Sequence, residues 1–264
     1  MESKNNQVQE ILKDSIDFNV QAYPDIEDLR MDPMETGRYA YESQMSGFVL
    51  KSSLYLTTPI TYILNQMYPG LSTVGSVTLT RSVGGLNPEI VESAAGLNTK
   101  VIWIPKSEEH EILEKGSLSS QMQEILKIVY GKNLTLALDQ LSPPNSIAIL
   151  EEAKKYGILK IISAFDHMIS DDNIYKTLSD LGAFIEFRFS SCMPSGHSIP
   201  IETMIEKIKL IGYERCIMTS NFGQWFNPSP AEGIRMAISA LLEEEVPAAQ
   251  IAKLVKLNPS DLLK

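Results

Sequence analysis

The hydrophobic pattern along the chain is a repeated alternation of short apolar runs and longer amphipathic stretches. The runs are rich in Ile, Val, Leu and Phe and recur roughly every 25 to 35 residues, about one strand–helix unit. Near-continuous apolarity, rather than strict alternation, is typical of parallel strands covered on both faces. The pattern predicts eight strands, at residues 16–21, 47–52, 74–79, 101–104, 134–138, 160–164, 183–187 and 216–219.

The stretches between these runs have helical periodicity and recognisable boundary residues. Caps combined with first-turn prolines predict helix starts at Asn87-Pro88, Ser142-Pro143-Pro144 and Pro228-Ser229-Pro230. Glycines at C-terminal stop positions predict that helices 148–156 and 171–181 end before Gly157 and Gly182. Two more helices are predicted near the end of the chain, at 231–244 and, packed on the outside before Asn258-Pro259, at 248–257.

Eight strands alternating with helices predict a single α/β domain with the (β/α)₈ TIM-barrel fold. A chain of 264 residues lies within the usual size of one such barrel. We therefore predict one domain over residues 1–264, with an N-terminal extension at 1–12 and a C-terminal helix and tail at 247–264.

Composition narrows the class of protein. The formal net charge of −10 argues against nucleic-acid and anionic-membrane binding, because both need clustered Lys and Arg. No apolar run reaches the roughly 20 residues of a membrane span, and residues 1–9 lack an apolar signal core. Cys192 and Cys216 lie far apart and are predicted to be reduced thiols. These features predict a soluble, cytoplasmic protein.

The active site of such a barrel lies at the C-terminal ends of the strands and in the loops that follow. Strand 1 offers Asp17, Asn19 and Gln21, which strict alternation would place on one face. The other strand ends add Lys51, Ser53, Arg81, Asp139, Gln140, Asp166, His167, Glu186, Arg188, Asn221 and Gln224. A polar mouth on an apolar stem is the expected form of a small-molecule site.

Four of these side chains are candidates for catalysis. Lys51 follows a strongly apolar run, and a desolvated lysine can become a nucleophile. Among the three histidines, His167 alone follows a strand end, where it can act as an acid or a base. Asp139 and Glu186 complete the catalytic candidates. The candidates for substrate binding are Asp17, Asn19, Gln21, Ser53, Arg81, Gln140, Asn221 and Gln224.

A structural alternative stands beside each of these roles. Asp17 can cap backbone groups, while Asn19 and Gln21 can form a satisfied polar layer inside the barrel. Lys51 can serve only to neutralise neighbouring carboxylates, those of Asp17, Asp139 or Glu186. Asp166 can share the acid–base role of His167 or cap the helix that follows.

The loops carry two further signals. Gly84-Gly85 opens the helix at Asn87-Pro88, whose N-terminus can hold an anion, although such glycines also serve simple tight turns. His110 and His197 lie in long polar connections and are predicted to be solvated.

Several short motifs spread along the chain carry a family resemblance. They are Gly47-Phe48-Val49-Leu50-Lys51-Ser52, Val83-Gly84-Gly85-Leu86-Asn87-Pro88, Val101-Ile102-Trp103-Ile104-Pro105, Leu181-Gly182-Ala183, Phe222-Gly223-Gln224 with Asn227-Pro228, Glu232-Gly233-Ile234-Arg235, and Asn258-Pro259-Ser260-Asp261-Leu262-Leu263. Together they resemble an uncharacterised group of amidohydrolase-like TIM barrels, predicted to be metal-dependent hydrolases. The resemblance covers nearly the whole chain and implies a metal site at the barrel mouth.

The chain departs from that family where the metal ligands belong. The family's opening Asp-x-His-x-His strand here reads Asp17-Phe18-Asn19-Val20-Gln21. In the family a further histidine tends to follow the strand 2 lysine, and this chain has Ser53 there. The family's Gly-His-Leu-Ser pattern at the end of strand 5 is replaced by Asp139-Gln140-Leu141-Ser142. The strand 6 histidine aligns with Phe165, although a two-residue slip would place His167 there, and the strand 8 aspartate aligns with Asn221.

These replacements predict a divergent member with a converted, metal-free pocket and no cofactor. Amide oxygens are weak ligands for zinc, and Asn221 cannot act as a general base. The pocket would bind a small molecule as a non-catalytic homologue, or transform it as a metal-independent acid–base or Schiff-base lyase, cyclase or isomerase.

The alternative is a metal-dependent hydrolase with an atypical oxygen-rich site. Its ligands would be the remaining carboxylates, those of Asp17, Asp139, Asp166 and Glu186, which suit a hard ion such as Mg²⁺. The expected partner is a small molecule, with neither nucleic acid nor membrane, and a homo-oligomer stays open.

Overall fold

Eight parallel strands form the central sheet of the protein, a computed structural model of which describes residues 2–169, 171, 173–194 and 197–264. Their order is β1-β2-β3-β4-β7-β8-β9-β10, so each strand pairs with the next one in the chain except across a small hairpin, β5–β6. The bounds are β1 Ile16–Gln21, β2 Gly47–Lys51, β3 Ser72–Thr78, β4 Val101–Pro105, β5 Leu113–Glu114, β6 Ser117–Leu118, β7 Thr135–Asp139, β8 Ile161–Ala164, β9 Phe184–Arg188 and β10 Cys216–Thr219. The predicted (β/α)₈ TIM barrel is confirmed.

The sheet is nearly closed where β10 meets β1. The Gln21 N–H donates to the Phe222 carbonyl oxygen at 3.0 Å, just beyond the end of β10. A Cβ added at Gly223 would lie 2.5 Å from the Gln21 carbonyl oxygen. Glycine is therefore required at this position for the two chain segments to approach so closely.

Helices surround the sheet on its outer side. Their bounds are α1 Glu2–Leu12, α2 Pro33–Glu42, α3 Thr58–Met67, α4 Pro88–Gly96, α5 Ser120–Gly131, α6 Pro143–Tyr156, α7 Asn173–Asp180, α8 Ile201–Ile211, α9 Pro230–Glu243, α10 Ala248–Ala252 and α11 Asn258–Leu263. Short 3₁₀ turns occupy Arg81–Val83, Lys106–Glu111, Phe189–Cys192 and Tyr213–Arg215. No helix in the described part of the chain has the length and apolar character needed to cross a bilayer.

Local sequence accounts for most helix boundaries. The Asn87 side chain accepts from the Glu89 N–H at the start of α4, and Ser229 accepts from the Glu232 N–H at the start of α9. Gly157 ends α6 in the left-handed region, at φ 79°. Helix α6 begins at Pro143, as the Ser142-Pro143-Pro144 pattern predicts, because proline fits the first helical turn.

The end of the chain differs from the prediction. The expected helix 248–257 is α10 followed by a π-helical turn at Lys253–Leu257, and the chain then continues as α11. Pro259 does not stop it, because a proline in a first turn forfeits no hydrogen bond. Leu262 joins the apolar cluster inside the barrel with Phe18 and Trp103. The C-terminal segment therefore closes the bottom of the barrel as well as covering its outside.

Strand β1 also departs from strict alternation. Its register with β2 shifts between Asp17 and Val20. Phe18 packs in the cluster inside the barrel, whereas Val20 packs in the larger cluster between sheet and helices. This irregularity, and not simple period-two alternation, sets the directions of the polar side chains of β1.

The two cysteines are free thiols. Burial raises the pKa of the Cys192 thiol to about 11, and burial also raises the pKa of Cys216. Both thiols therefore stay protonated near neutral pH.

Candidate functional site

Four charged side chains meet at the C-terminal ends of β2, β7 and β9. We call Lys51, Asp139, Glu186 and Arg188 the inner network. Lys51 Nζ lies 2.6 Å from Asp139 Oδ2, and Arg188 Nη2 lies 2.6 Å from Asp139 Oδ1. The strand ends bring these residues together because parallel neighbours in a barrel finish on the same face.

Glu186 is the second carboxylate of the inner network and is fully buried. Arg188 donates to Glu186 Oε2 through Nε at 3.0 Å and Nη2 at 2.9 Å. Glu186 Oε1 accepts from Asn19 Nδ2 at 2.9 Å and from Thr219 Oγ1 at 2.8 Å. Every carboxylate oxygen of the network therefore has at least one donor.

The charges of the network control the ionisation of its members. Burial alone would raise the pKa of Asp139, but the Arg188 and Lys51 charges outweigh it and hold that pKa well below its ordinary value. Burial opposes the charge of Arg188, and the Asp139 and Glu186 carboxylates more than compensate, which raises its pKa. Two cations and two anions thus cancel inside the barrel.

An indole ring lies against the Lys51 ammonium group. Lys51 Nζ is 4.4 Å from the centre of the Trp103 ring, within range of a cation–π interaction. Trp103 is buried on β4, and its Nε1 has no acceptor among the described residues. The Lys51 ammonium group therefore contacts the Asp139 carboxylate on one side and the Trp103 ring on another.

Asp17 joins β1 to the segment after β10. Asp17 accepts hydrogen bonds from the Ser220 N–H at 3.1 Å and from the Ser220 hydroxyl. It also accepts from the Asn19 N–H, two residues along β1, at 3.3 Å. Burial nevertheless dominates and raises the pKa of Asp17 to about 7. Two of these donors are backbone N–H groups, which agrees with the alternative that Asp17 caps backbone groups. The capped groups lie at the junction of β10 and β1.

Amide side chains extend the site along the same junction. Gln21 Nε2 donates to Asn221 Oδ1 at 3.3 Å, and Asn221 Nδ2 donates to Ser190 Oγ at 3.0 Å. The Asn19 carbonyl oxygen, Oδ1, is buried without a donor among the described residues. Of the predicted binding residues, Asp17, Asn19, Gln21 and Asn221 are thus brought together.

The other predicted residues lie around this centre or away from it. Ser53 donates its N–H to Asp25 Oδ2, and Gln224 accepts from Asn227 Nδ2, so both stabilise loops. Gln140 adopts a left-handed backbone, φ 56°, directly after Asp139. His167 follows β8 with a buried Nε2 that has no partner in the described part of the chain. Asp166 Oδ1 accepts the Met168 N–H, as a local turn.

Arg81 lies away from the inner network, in contact with a second group of ionisable side chains. We call Glu108, His110 and Glu111 the outer cluster; their ligand-type atoms lie within 4.8 Å of one another. All three belong to the 3₁₀ turn that follows β4. His110 is exposed as predicted, but its place in a cluster was not predicted.

Sequence reasoning missed the residues that complete both groups. Arg188 was recognised at its strand end, but not as the bridge between Asp139 and Glu186. Its spacing of two from Glu186 was the available signal, since residues i and i+2 share a face. The partnership of Trp103 with Lys51 and the burial of Glu108 have no local sequence signal.

The sequence matches one known protein family. A family model matches residues 14–186, from just before β1 into β9. The chain belongs to DUF6282, a family of unknown function. No curated protein matches this DUF6282 chain in sequence.

Several solved structures have a fold similar to that of this DUF6282 protein over nearly the whole chain. An amidohydrolase from Pseudomonas aeruginosa is similar with a TM-score of 0.73 at 11% identity, over 97% of this chain and 98% of the other. The probable dipeptidase PvdM from the same organism gives 0.70 at 11%, over 99% and 98%. A phosphotriesterase homology protein from Escherichia coli, complexed with phosphate in its active site, gives 0.67 at 11%, over 96% and 100%. These likenesses show that the chain shares the TIM-barrel fold of the three proteins.

Proposed function

We propose that the barrel mouth is a metal-independent site that binds a small, polar molecule without net charge. The observation that carries this proposal is the inner network, in which Lys51 and Arg188 neutralise Asp139 and Glu186. In this respect the protein is a divergent amidohydrolase-like barrel whose metal site has been converted.

The residues at the mouth do not fit a catalytic metal ion of the kind the fold implies. A divalent ion here would be repelled by Lys51 and Arg188, which already donate to both oxygens of Asp139 and to Glu186 Oε2. The amides of Asn19, Gln21 and Asn221 are weak ligands for such an ion. An oxygen-rich metal site at the mouth is therefore the less favoured function.

The same geometry argues against Schiff-base chemistry at Lys51. A nucleophilic lysine needs a free nitrogen, yet Lys51 Nζ is held by the Asp139 carboxylate at 2.6 Å and lies against the Trp103 ring. The low pKa of Asp139 also makes it a poor acceptor for the lysine proton. Lys51 is thus better suited to hold the network than to attack a carbonyl.

Unpaired polar atoms indicate what the ligand would offer. Asn19 Oδ1 is a buried acceptor and Trp103 Nε1 a buried donor, and buried polar groups normally have partners. A donor group on the ligand would satisfy Asn19 Oδ1, and an acceptor group would satisfy Trp103 Nε1. The cancellation of charge in the inner network removes any preference for an ion.

A thermal-shift screen of the full chain tests this proposal. Neutral amides, lactams and polyols are compared with carboxylates and phosphates of matched size. A ligand at about one hundred times its Kd adds about 2.7 kcal/mol, which raises Tm by about 5 to 10 °C. Gln21→Ala with Asn221→Ala should remove that shift, whereas Gln123→Ala, at an exposed glutamine of α5, should keep it.

Two outcomes would overturn the proposal. One is a shift by charged compounds alone, or a shift that persists unchanged in the Gln21/Asn221 double variant. The other is stoichiometric metal in a chain carrying Glu108→Gln and Glu111→Gln, if that metal is lost on Asp139→Asn. The outer-cluster substitutions exclude metal bound elsewhere on the β4 turn.

A second candidate is metal-independent acid–base chemistry at His167. It is motivated by the buried Nε2, which has no hydrogen-bond partner in the described part of the chain. If a ligand found in the screen is converted to product, His167→Asn should abolish turnover and leave the thermal shift intact. Turnover at the wild-type rate in that variant would exclude this function.

A further inference from the structure

The 3₁₀ turn after β4 carries two carboxylates and an imidazole on one short segment, outside the inner network. We propose that Glu108, His110 and Glu111 bind one divalent cation. Their ligand-type atoms lie within 4.8 Å of one another. This site is formed by other residues than the barrel mouth and does not depend on the function proposed there.

Glu108 supplies an independent reason to expect a ligand. Its side chain is only 4% exposed, and its Oε2 has no hydrogen-bond donor among the described residues. Burial of an ionised carboxylate without donors is unfavourable, unless a cation binds it. Among the described residues, this oxygen forms a salt bridge only with Arg81 Nε, at 3.5 Å, which is too far for a hydrogen bond.

Arg81 indicates where the cation would sit. Its guanidinium also reaches His110 Nε2 at 3.2 Å and Glu111 Oε1 at 3.8 Å through Nη2. A single positive group thus contacts all three members of the outer cluster. Because the Arg81 side chain is 73% exposed, it can leave for solvent at little cost, and a metal ion can take its place.

The backbone of the turn is held while two of the ligands are free to move. Glu109 accepts from the Ser142 N–H and from Asn145 Nδ2, which fixes the turn to the start of α6. The side chains of His110 and Glu111 are 58% and 41% exposed. Metal-bound donor atoms lie about 3 to 3.5 Å apart, given bonds of about 2.0 to 2.2 Å, so small side-chain rotations close the site.

The ligand chemistry selects the kind of ion. Two carboxylates balance a double positive charge, and an imidazole favours Zn²⁺ or Mn²⁺ over Ca²⁺. His110 and Glu111 also line a surface cleft of about 640 Å³, together with Gly84 and Asn87. Three protein ligands leave coordination positions open, and a small molecule in this cleft can reach them.

Calorimetric titration of the chelator-treated full chain with ZnCl₂ and with MnCl₂ tests the proposal. We expect one ion per chain. Glu108→Gln and His110→Ala should each weaken binding at least about tenfold, since changes even beyond the first ligands have effects of this size. Glu114→Gln, an exposed carboxylate in the same cleft, should bind like the wild type.

The Arg81→Ala variant distinguishes a specific metal site from nonspecific binding to an acidic surface. Removing the competing guanidinium should tighten metal binding about two- to fivefold, the size of an exposed ion pair. If Glu108→Gln disturbs folding, Glu111→Gln at the surface replaces it, with circular dichroism as the check. Unchanged affinity in both glutamine variants, or weaker binding after Arg81→Ala, would overturn the proposal. Neither result bears on the Gln21/Asn221 thermal shift.

Discussion

The inner network and the outer cluster each contain two carboxylates, and both lie at the C-terminal ends of the barrel strands. They differ in the positive charges that face those carboxylates. Inside the barrel, Asp139 and Glu186 are neutralised by Lys51 and Arg188, whose side chains are themselves buried. On the β4 turn, the exposed Arg81 is the one cation among the described residues that forms a salt bridge with buried Glu108. The first group is internally complete, and the second is not.

The difference shows that a pair of carboxylates near a barrel mouth is not by itself a metal site. A carboxylate that already accepts hydrogen bonds from buried cations has little to gain from an added ion. A carboxylate with a distant and mobile counter-charge keeps that capacity. The donors around the oxygens, more than the oxygens themselves, decide which group can take a ligand.

Removal of the central cation should show the largest effect. Arg188→Met leaves Lys51 as the one cation among the described residues that pairs with this carboxylate group. Breaking a buried pair in this way costs about 3 to 5 kcal/mol of unfolding free energy. Denaturant unfolding at constant pH measures it. Adding Glu186→Gln to Arg188→Met should recover part of the loss, because the uncompensated charge is then gone.

The matched control is Arg38→Met, which removes an exposed pair with Glu35 on α2. It should cost less than about 1 kcal/mol. Equal losses at Arg38 and Arg188, or no recovery in the double variant, would contradict the view that the inner network is a charge-balanced unit.

A pH effect of intermediate size should come from Asp17. Its pKa rises from 3.8 to about 7 because it is buried, so the folded state holds a proton that the unfolded state releases. Stability from this group is therefore greatest below about pH 4 and falls as pH rises to about 7, by on the order of a few kcal/mol. Asp17→Asn should flatten the curve in that window, measured as unfolding free energy against pH.

Asp139 makes the opposite contribution at lower pH. Its pKa is held below the ordinary 3.8 by Arg188 and Lys51, so its stabilisation is lost as pH falls below about 4. The two windows are separate, which lets one titration distinguish them. An identical slope between pH 4 and pH 7 in wild type and Asp17→Asn would contradict the assignment of Asp17.

The smallest effect is expected at the outer cluster. Arg81→Ala should change the unfolding free energy by less than about 1 kcal/mol, because the side chain is 73% exposed and its ion pairs are long. Thermal and denaturant unfolding measure this. A loss comparable to that of Arg188→Met would mean that Arg81 is a structural cation and would remove the contrast between the two groups.

Much of the fold was readable from the chain because it depends on local patterns. Apolar runs at a spacing of one strand–helix unit predicted all eight barrel strands, within a few residues at their ends. Asn87 and Ser229 act as caps, as their positions before helical stretches indicated. The exceptions are β1 and the C-terminal segment. In β1 a register shift breaks the simple alternation, and in the C-terminal segment packing of Leu262 against the barrel interior prevails over the local stop signal.

The candidate site was only partly readable. The rule that polar residues at strand ends face the mouth found Lys51, Asp139 and Glu186, but it assigned them to catalysis one by one. It could not predict that Arg188 bridges the two carboxylates, or that Trp103 lies against Lys51. The contacts of Arg188 with Asp139 and of Trp103 with Lys51 join different strands and depend on the stagger of the barrel, whereas only the spacing of Arg188 from Glu186 is local.

The sequence by itself determined the (β/α)₈ barrel and the set of polar side chains at its C-terminal end, because periodicity and strand position are local properties. Only the tertiary structure decided which charges neutralise one another and which are left exposed. Electrostatic interaction depends on distance and burial, and neither is fixed until the strands have closed around their common interior. For that reason the same residue types form a completed ion network in the barrel and an open cluster on the β4 turn.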